Sequence, residues 1–154
     1  MKHVKRSVLL WYSPREMYDL VTDIERYPTF LPWCAKAEVV ERHDQGVTAR
    51  LTLVKGGLRH TFTTRNRHRS GEQVRVELVD GPFSELEGTW HFIPVSRPGA
   101  TERTDAAACR IEFDLRYAFA NAALEALVSP VFDRIANTMV DSFVKRAEQV
   151  HGAR

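Results

Sequence analysis

The hydrophobic period of this chain changes once, and that change constrains the architecture more than any other feature. Up to Tyr117 apolar residues alternate with polar ones; beyond it Leu124, Leu127, Val128, Val131, Phe132, Ile135, Met139, Val140, Phe143 and Val144 recur at three- and four-residue steps. Alternation marks half-buried strands, and the longer step marks one face of a helix. A helix from Asn121 to about Val150 would be roughly 45 Å long at about 1.5 Å per residue. Pro130 lies inside it and predicts a kink or a restart, because proline lacks an amide proton and its ring crowds the preceding turn.

Turn residues divide the rest. Val4, Val8 and Leu10 alternate with polar neighbours in a first strand that Ser13-Pro14 ends. Ser13 as cap, Pro14 at the first helical position and Glu16 three residues on form a capping box that starts a short helix carrying Met17, Leu20, Val21 and Ile24. Pro28 and Pro32 predict extended backbone at Tyr27 and Leu31, hence a bent, aromatic-rich segment up to Cys34. Asp44-Gln45-Gly46, Gly56-Gly57, Ser70-Gly71 and Gly81-Pro82 then separate alternating runs, and Arg97 to Asp105 reads as a loop. In the last strand Cys109, Ile111, Phe113, Leu115 and Tyr117 share one face. The expected fold class is α+β: a curved antiparallel sheet of about seven strands wrapped on the long helix, two short helices after the first strand, and residues 1–154 in one domain. One layer of each kind leaves the hollow of the sheet partly filled.

Composition removes several function classes. The chain has 154 residues, 44% hydrophobic, with 22 Lys+Arg against 20 Asp+Glu for a net charge of +2. That balance gives no global case for nucleic acid or an anionic membrane. No apolar run approaches the ~20 residues a spanning helix needs, and Val8 to Tyr12 is too short for a signal-peptide core. A cytoplasmic protein is expected. Cys34 and Cys109 stand outside any metal or redox spacing and read as buried small side chains, with no metal site expected.

Two surfaces carry candidate chemistry. Trp90, Phe92, Phe113, Leu115 and Tyr117 of the sheet, facing Phe132, Ile135, Met139 and Phe143 of the helix, form either a ligand cavity or an ordinary aromatic core. Arg65, Arg67 and Arg69 fall on one face of a strand, with Arg59 continuing the row. Arginine forks match phosphate oxygens, so the row fits nucleic-acid contact. It fits equally a solvated ladder of pairs with Glu77, Glu85 and Glu87. No nucleophile–base motif or phosphate loop occurs, and an enzyme is not expected.

The run Tyr12-Ser13-Pro14, Leu20 to Pro28 and Phe30-Leu31-Pro32-Trp33-Cys34 resembles the N-terminal signature of the coenzyme Q binding and RatA ribosome-association toxin family. Asp80-Gly81-Pro82-Phe83 with Leu86, Gly88, Trp90 and Phe92 resembles its central block. Phe113, Tyr117, Phe119 and Asn121, then Phe132, Met139-Val140-Asp141, Phe143 and Arg146-Ala147, resemble its C-terminal helix. The resemblance implies a START-like helix-grip fold of the polyketide cyclase/dehydrase superfamily. It implies two functions of different kinds. The first is carriage of ubiquinone or another isoprenoid lipid, bound by Tyr27, Phe30, Trp33, Phe83, Leu86, Trp90, Phe92, Phe113, Tyr117, Phe132, Ile135 and Met139, with transient membrane contact, supporting respiratory quinone function. In that reading Tyr27, Phe30 and Trp33 form either an entrance flap or a pinned connection. The alternative is a RatA-type toxin that binds the large ribosomal subunit and blocks subunit association, with Arg59, Arg65, Arg67 and Arg69 on RNA. A polyketide cyclase or dehydratase is the third reading. No resident cofactor is expected beyond a bound lipid.

Overall fold

The computed structural model describes residues 1–95 and 108–154; the loop expected from Arg97 to Asp105 lies outside the described residues. The elements are β1 (Lys2–Leu10), α1 (Pro14–Thr22), a 3-10 helix (Ile24–Thr29), β2 (Cys34–His43), β3 (Gly46–Lys55), β4 (Leu58–Arg69), β5 (Gln73–Asp80), β6 (Phe83–Val95), β7 (Ala108–Phe119) and α2 (Ala122–His151). The strands form one seven-stranded antiparallel sheet in the order β1-β7-β6-β5-β4-β3-β2. Only the first strand leaves its sequence neighbours, crossing to pair with the last. This is the order of strands and helices that the period change and the turn signals predict, and the helix-grip architecture that the family resemblance implies.

Local chemistry sets the element ends. Ser13 Oγ accepts from the Glu16 amide at 3.1 Å while Glu16 Oε1 accepts from the Ser13 amide at 2.9 Å, closing the capping box. Asn121 caps α2 by accepting from the Leu124 amide at 2.9 Å. Gly46 starts β3 where β4 passes close by: a Cβ there would lie 1.8 Å from the Asn66 carbonyl oxygen. Only a residue without a side chain permits that approach.

Two local expectations need correction. Pro130 does not restart the helix; α2 runs as one element from Ala122 to His151. Val128, Phe132, Ile135 and Ala136 are buried on both sides of the proline. Packing of that stripe outweighs the roughly 3 kcal/mol that an interior proline costs. Tyr27 is not extended before Pro28 but sits inside the 3-10 helix. Its hydroxyl donates to the Val21 carbonyl, its own carbonyl accepts from the Phe30 and Leu31 amides at 3.2 and 2.9 Å, and its ring packs on Phe30 and Phe143. Tertiary contacts override the pre-proline bias.

Both helices lie on one face of the sheet. Met17, Leu31, Leu53, Phe92, Cys109, Ile111, Tyr117, Val128, Val140 and Phe143 are almost wholly buried between the layers. The opposite face carries most of the charged residues of β3 to β7 and Lys5 of β1, whereas Lys2 and Arg6 of β1 reach Asp133 and Asp141 of α2.

Candidate functional site

The sheet and α2 enclose an inner cavity of about 100 Å³. Its size decides much. A water occupies about 30 Å³ of liquid, and ligand pockets for drug-sized molecules run from about 300 Å³ upward. The space, partly open to solvent, falls below that range and suits a few waters or one small ring better than a quinone with an isoprenoid tail.

Of the residues expected around a ligand, Tyr27, Trp33, Leu86, Trp90, Phe113, Phe132, Ile135 and Met139 line this cavity. Phe30, Phe83, Phe92 and Tyr117 pack behind it. Phe92 stands edge-on to Tyr18 of α1 at 5.9 Å, and Phe83 packs on Phe119 and Phe132 at 5.4 and 4.8 Å. Phe30 fits between Phe143, at 5.5 Å, and the Arg146 guanidinium, at 5.0 Å from its ring. Tyr27 and Trp33, assigned to an entrance flap or a pinned connection, are tied into the core.

Sequence reasoning missed the polar side of the cavity. Phe62, Thr64 and Asn66 of β4 line it, and the Thr64 hydroxyl donates to Asn66 Oδ1 at 2.8 Å. The signal was present: if Arg65, Arg67 and Arg69 face out, Thr64 and Asn66 must face in. Cys34 and Cys109 are free and buried; burial pushes their thiols up to about 11 and about 12, so neither is a reactive thiolate.

A second polar group, also unforeseen, ties α2 to the sheet. The Tyr117 hydroxyl donates to Asp133 Oδ1 at 2.6 Å, Ser129 Oγ donates to Oδ2 at 2.8 Å, and Lys2 Nζ bridges Ser129 Oγ, at 2.6 Å, and the Asp133 carboxylate. Burial alone would raise the Asp133 carboxyl. Hydrogen bonds from Lys2, Tyr117 and Ser129 outweigh it and hold the group below the usual carboxylate range. A depressed native pKa contributes stability above the unfolded value, near 3.9, and loses it as pH falls through the native one. The urea midpoint is therefore expected to drop as pH falls below about 4, and Asp133→Asn to lose part of that drop. An unchanged pH profile in the variant would remove Asp133 from this role.

On the outer face the arginine row is real. Arg59, Arg65, Arg67 and Arg69 are all exposed along β4. The ladder of pairs is mostly not formed. Glu77, directly opposite Arg65, is engaged by Arg75 at 3.1 Å, and Arg69 reaches Glu72 only at 4.0 Å. Among the described residues Arg59, Arg65 and Arg67 make no ion pair. Arg67 also stands directly opposite Arg75 across the β4–β5 ladder. Like charges at facing positions are destabilising unless an anion lies between them.

Residues 10–144 match the family described as polyketide cyclase/dehydrase and lipid transport. The chain is similar to the ribosome association toxin RatA of Pseudomonas aeruginosa, 41% identical over 150 residues covering 97% of this chain and 98% of that one. It is 40% identical over 154 residues to the protein of the same name from Escherichia coli K12, covering 100% and 92%. A more distant relative, 29% identical over 95% of this chain and 58% of its own length, is the mitochondrial coenzyme Q-binding protein COQ10 homolog B of Xenopus laevis. Among solved structures, the 18 kDa protein CC1736 from Caulobacter crescentus aligns with a TM-score of 0.71 at 32% identity, over 99% of this chain and all of that one. The Zhui aromatase/cyclase from Streptomyces sp. R1128 shares the fold at a TM-score of 0.78 and 15% identity, over 96% and 94% of the two chains. By match length and identity, the chain belongs to the polyketide cyclase/dehydrase and lipid transport family, with RatA and coenzyme Q-binding proteins as its relatives there.

Proposed function

We propose that this chain associates with the ribosome as a non-enzymatic, RatA-type protein acting in the cytoplasm, and that it docks on ribosomal RNA of the large subunit through the outer face of its sheet. The observation that carries this reading is the exposed row of Arg59, Arg65 and Arg67 without ion pairs among the described residues. The names of the relatives at 40–41% identity support it. The cavity supports a non-enzymatic role: Thr64 and Asn66 do not titrate, and burial raises the Tyr27 phenol further from any working pH.

Sedimentation of the wild-type protein with purified large subunits at graded salt tests the reading. Co-sedimentation should fall steeply between about 50 and 200 mM salt, because each phosphate contact releases counterions. Association that is absent at low salt, or indifferent to salt, would end it.

The cavity favours a second, compatible reading, in which a small apolar molecule occupies the space beside Thr64 and Asn66. At about 100 Å³ it supports one ring more readily than the ubiquinone expected from the family resemblance.

A further inference from the structure

The outer face is not a flat basic surface. β1, β7, β6 and β5 form a polar groove of about 670 Å³ whose floor includes the backbone of Gly88 and Phe113. Strand register arranges its side chains in rows. One row runs Arg67, Arg75, Thr89, Asp114, Lys5 from β4 to β1, and the next runs Arg69, Gln73, His91, Glu112, Ser7. The facing arginines stand at one side of the groove, and Lys5 at the other.

The acidic residues in this groove differ in their partners. Asp114 is engaged by His3 at 2.8 Å and by Arg116 at 3.9 Å. Glu112 is exposed, faces His91 on one neighbouring strand and Ser7 on the other, and makes no ion pair among the described residues; Glu87, the third acid lining the groove, is also exposed and without an ion pair among them, but it stands directly opposite Arg116 across the β6–β7 ladder. A free carboxylate repels phosphate, so a surface serving only to hold an RNA backbone would be better without it. A carboxylate does suit a base edge that presents two adjacent N–H donors. Among the four RNA bases guanine presents such a pair, N1–H and N2–H, on its Watson–Crick edge. That edge is available only where the base is unpaired, and readable RNA bases are ordinarily those splayed from single strands.

We infer that the groove is a nucleotide site for an unpaired guanine of the docked RNA, with Glu112 accepting from the base, the His91 ring beneath it, and Arg67, Arg75 and Lys5 on flanking phosphates. Arg75 and Glu112 lie two strands and one row apart, about 12 Å at ordinary strand spacing and rise, a span that the two side chains and one nucleotide from phosphate to base edge can bridge. The inference rests on the RNA-docking reading of this face and adds a base preference to it.

The test uses fluorescence anisotropy with labelled heptamers, UUUGUUU against UUUAUUU and UUUCUUU, at about 50 mM salt, and the same guanine heptamer annealed to its complement. The wild-type protein should prefer the single-stranded guanine heptamer by roughly fivefold to a hundredfold, the range for one bidentate base contact. Glu112→Gln leaves one acceptor where guanine needs two. It should abolish the preference while affinity for the other heptamers rises slightly, since a negative charge is gone. Arg67→Glu should weaken all heptamers alike. Heptamers bound without guanine preference, a preference intact in Glu112→Gln, or a duplex bound as tightly as the single strand would each overturn the guanine site and leave RNA docking standing. No binding of any heptamer would overturn both.

Discussion

Reversing Arg65 and Arg67 together to glutamate is expected to lower affinity for large ribosomal subunits by roughly a hundredfold or more. Each hydrogen bond to a charged group contributes about 1.5–3 kcal/mol, and two such contacts are replaced by repulsion. Stability should hardly change, because both side chains are exposed and neither has an ion-pair partner to lose among the described residues. Arg134 supplies the control. It is also exposed but projects from α2, on the other side of the molecule, and Arg134→Glu combined with Lys145→Glu, exposed on the same helix, makes the same charge change there. If binding fell equally in the control, the effect would be net charge and the outer face would have no special part. If the double variant bound normally, the docking face would lie elsewhere.

The order of elements was legible because it rests on local rules. Alternation gave the strands, and the capping box at Ser13 and Glu16 gave the start of α1 to the residue. Asn121 and the three- and four-residue steps gave α2, and of the kink or restart that Pro130 argued for, the restart does not occur. The outer position of Arg65, Arg67 and Arg69 followed from strand phase alone. Less legible was anything set by register between distant strands. That Glu77 is drawn to Arg75, leaving Arg65 free, depends on side-chain reach within a ladder and has no sequence signature. The tie from Lys2 through Asp133 to Tyr117 joins residues more than a hundred positions apart.

The cavity shows the same division at higher resolution. Its aromatic lining was named from periodicity, yet Phe83, Phe92 and Tyr117 have the inward phase and still miss the empty space. Phase gives the face of a sheet; the position along a twisted strand decides whether that face meets a void, α1 or another ring. Thr64 and Asn66 carry no apolar signal of an inward face, and the charge of Arg65 between them and Arg67 beside them marks only the other face of β4.

Phe143 is the residue on which the inner layer closes, and Phe143→Ala is expected to lower the unfolding free energy by about 3–5 kcal/mol. The ring is 1% exposed and lies 5.5 Å from Tyr27, 5.5 Å from Phe30 and 5.4 Å from Trp90, edge to face in each case. It also borders the cavity, so its removal joins the vacated volume to the existing 100 Å³. A domain of this kind has about 5–15 kcal/mol in total, so the variant should unfold at much lower urea. An apolar cavity of about 150 Å³ binds benzene. Saturating benzene should accordingly recover part of the loss in the variant and stabilise the wild type by less, because a ligand that binds only the native state stabilises it in proportion to occupancy. Urea titrations of both proteins with and without benzene measure this. A loss below about 1 kcal/mol with no benzene effect would mean that neighbouring rings collapse into the gap, well short of the 3–5 kcal/mol that an unrelaxed cavity costs. The space beneath α2 would then be a packing remnant, and the small-guest reading would fall while ribosome docking through the opposite face stood untouched.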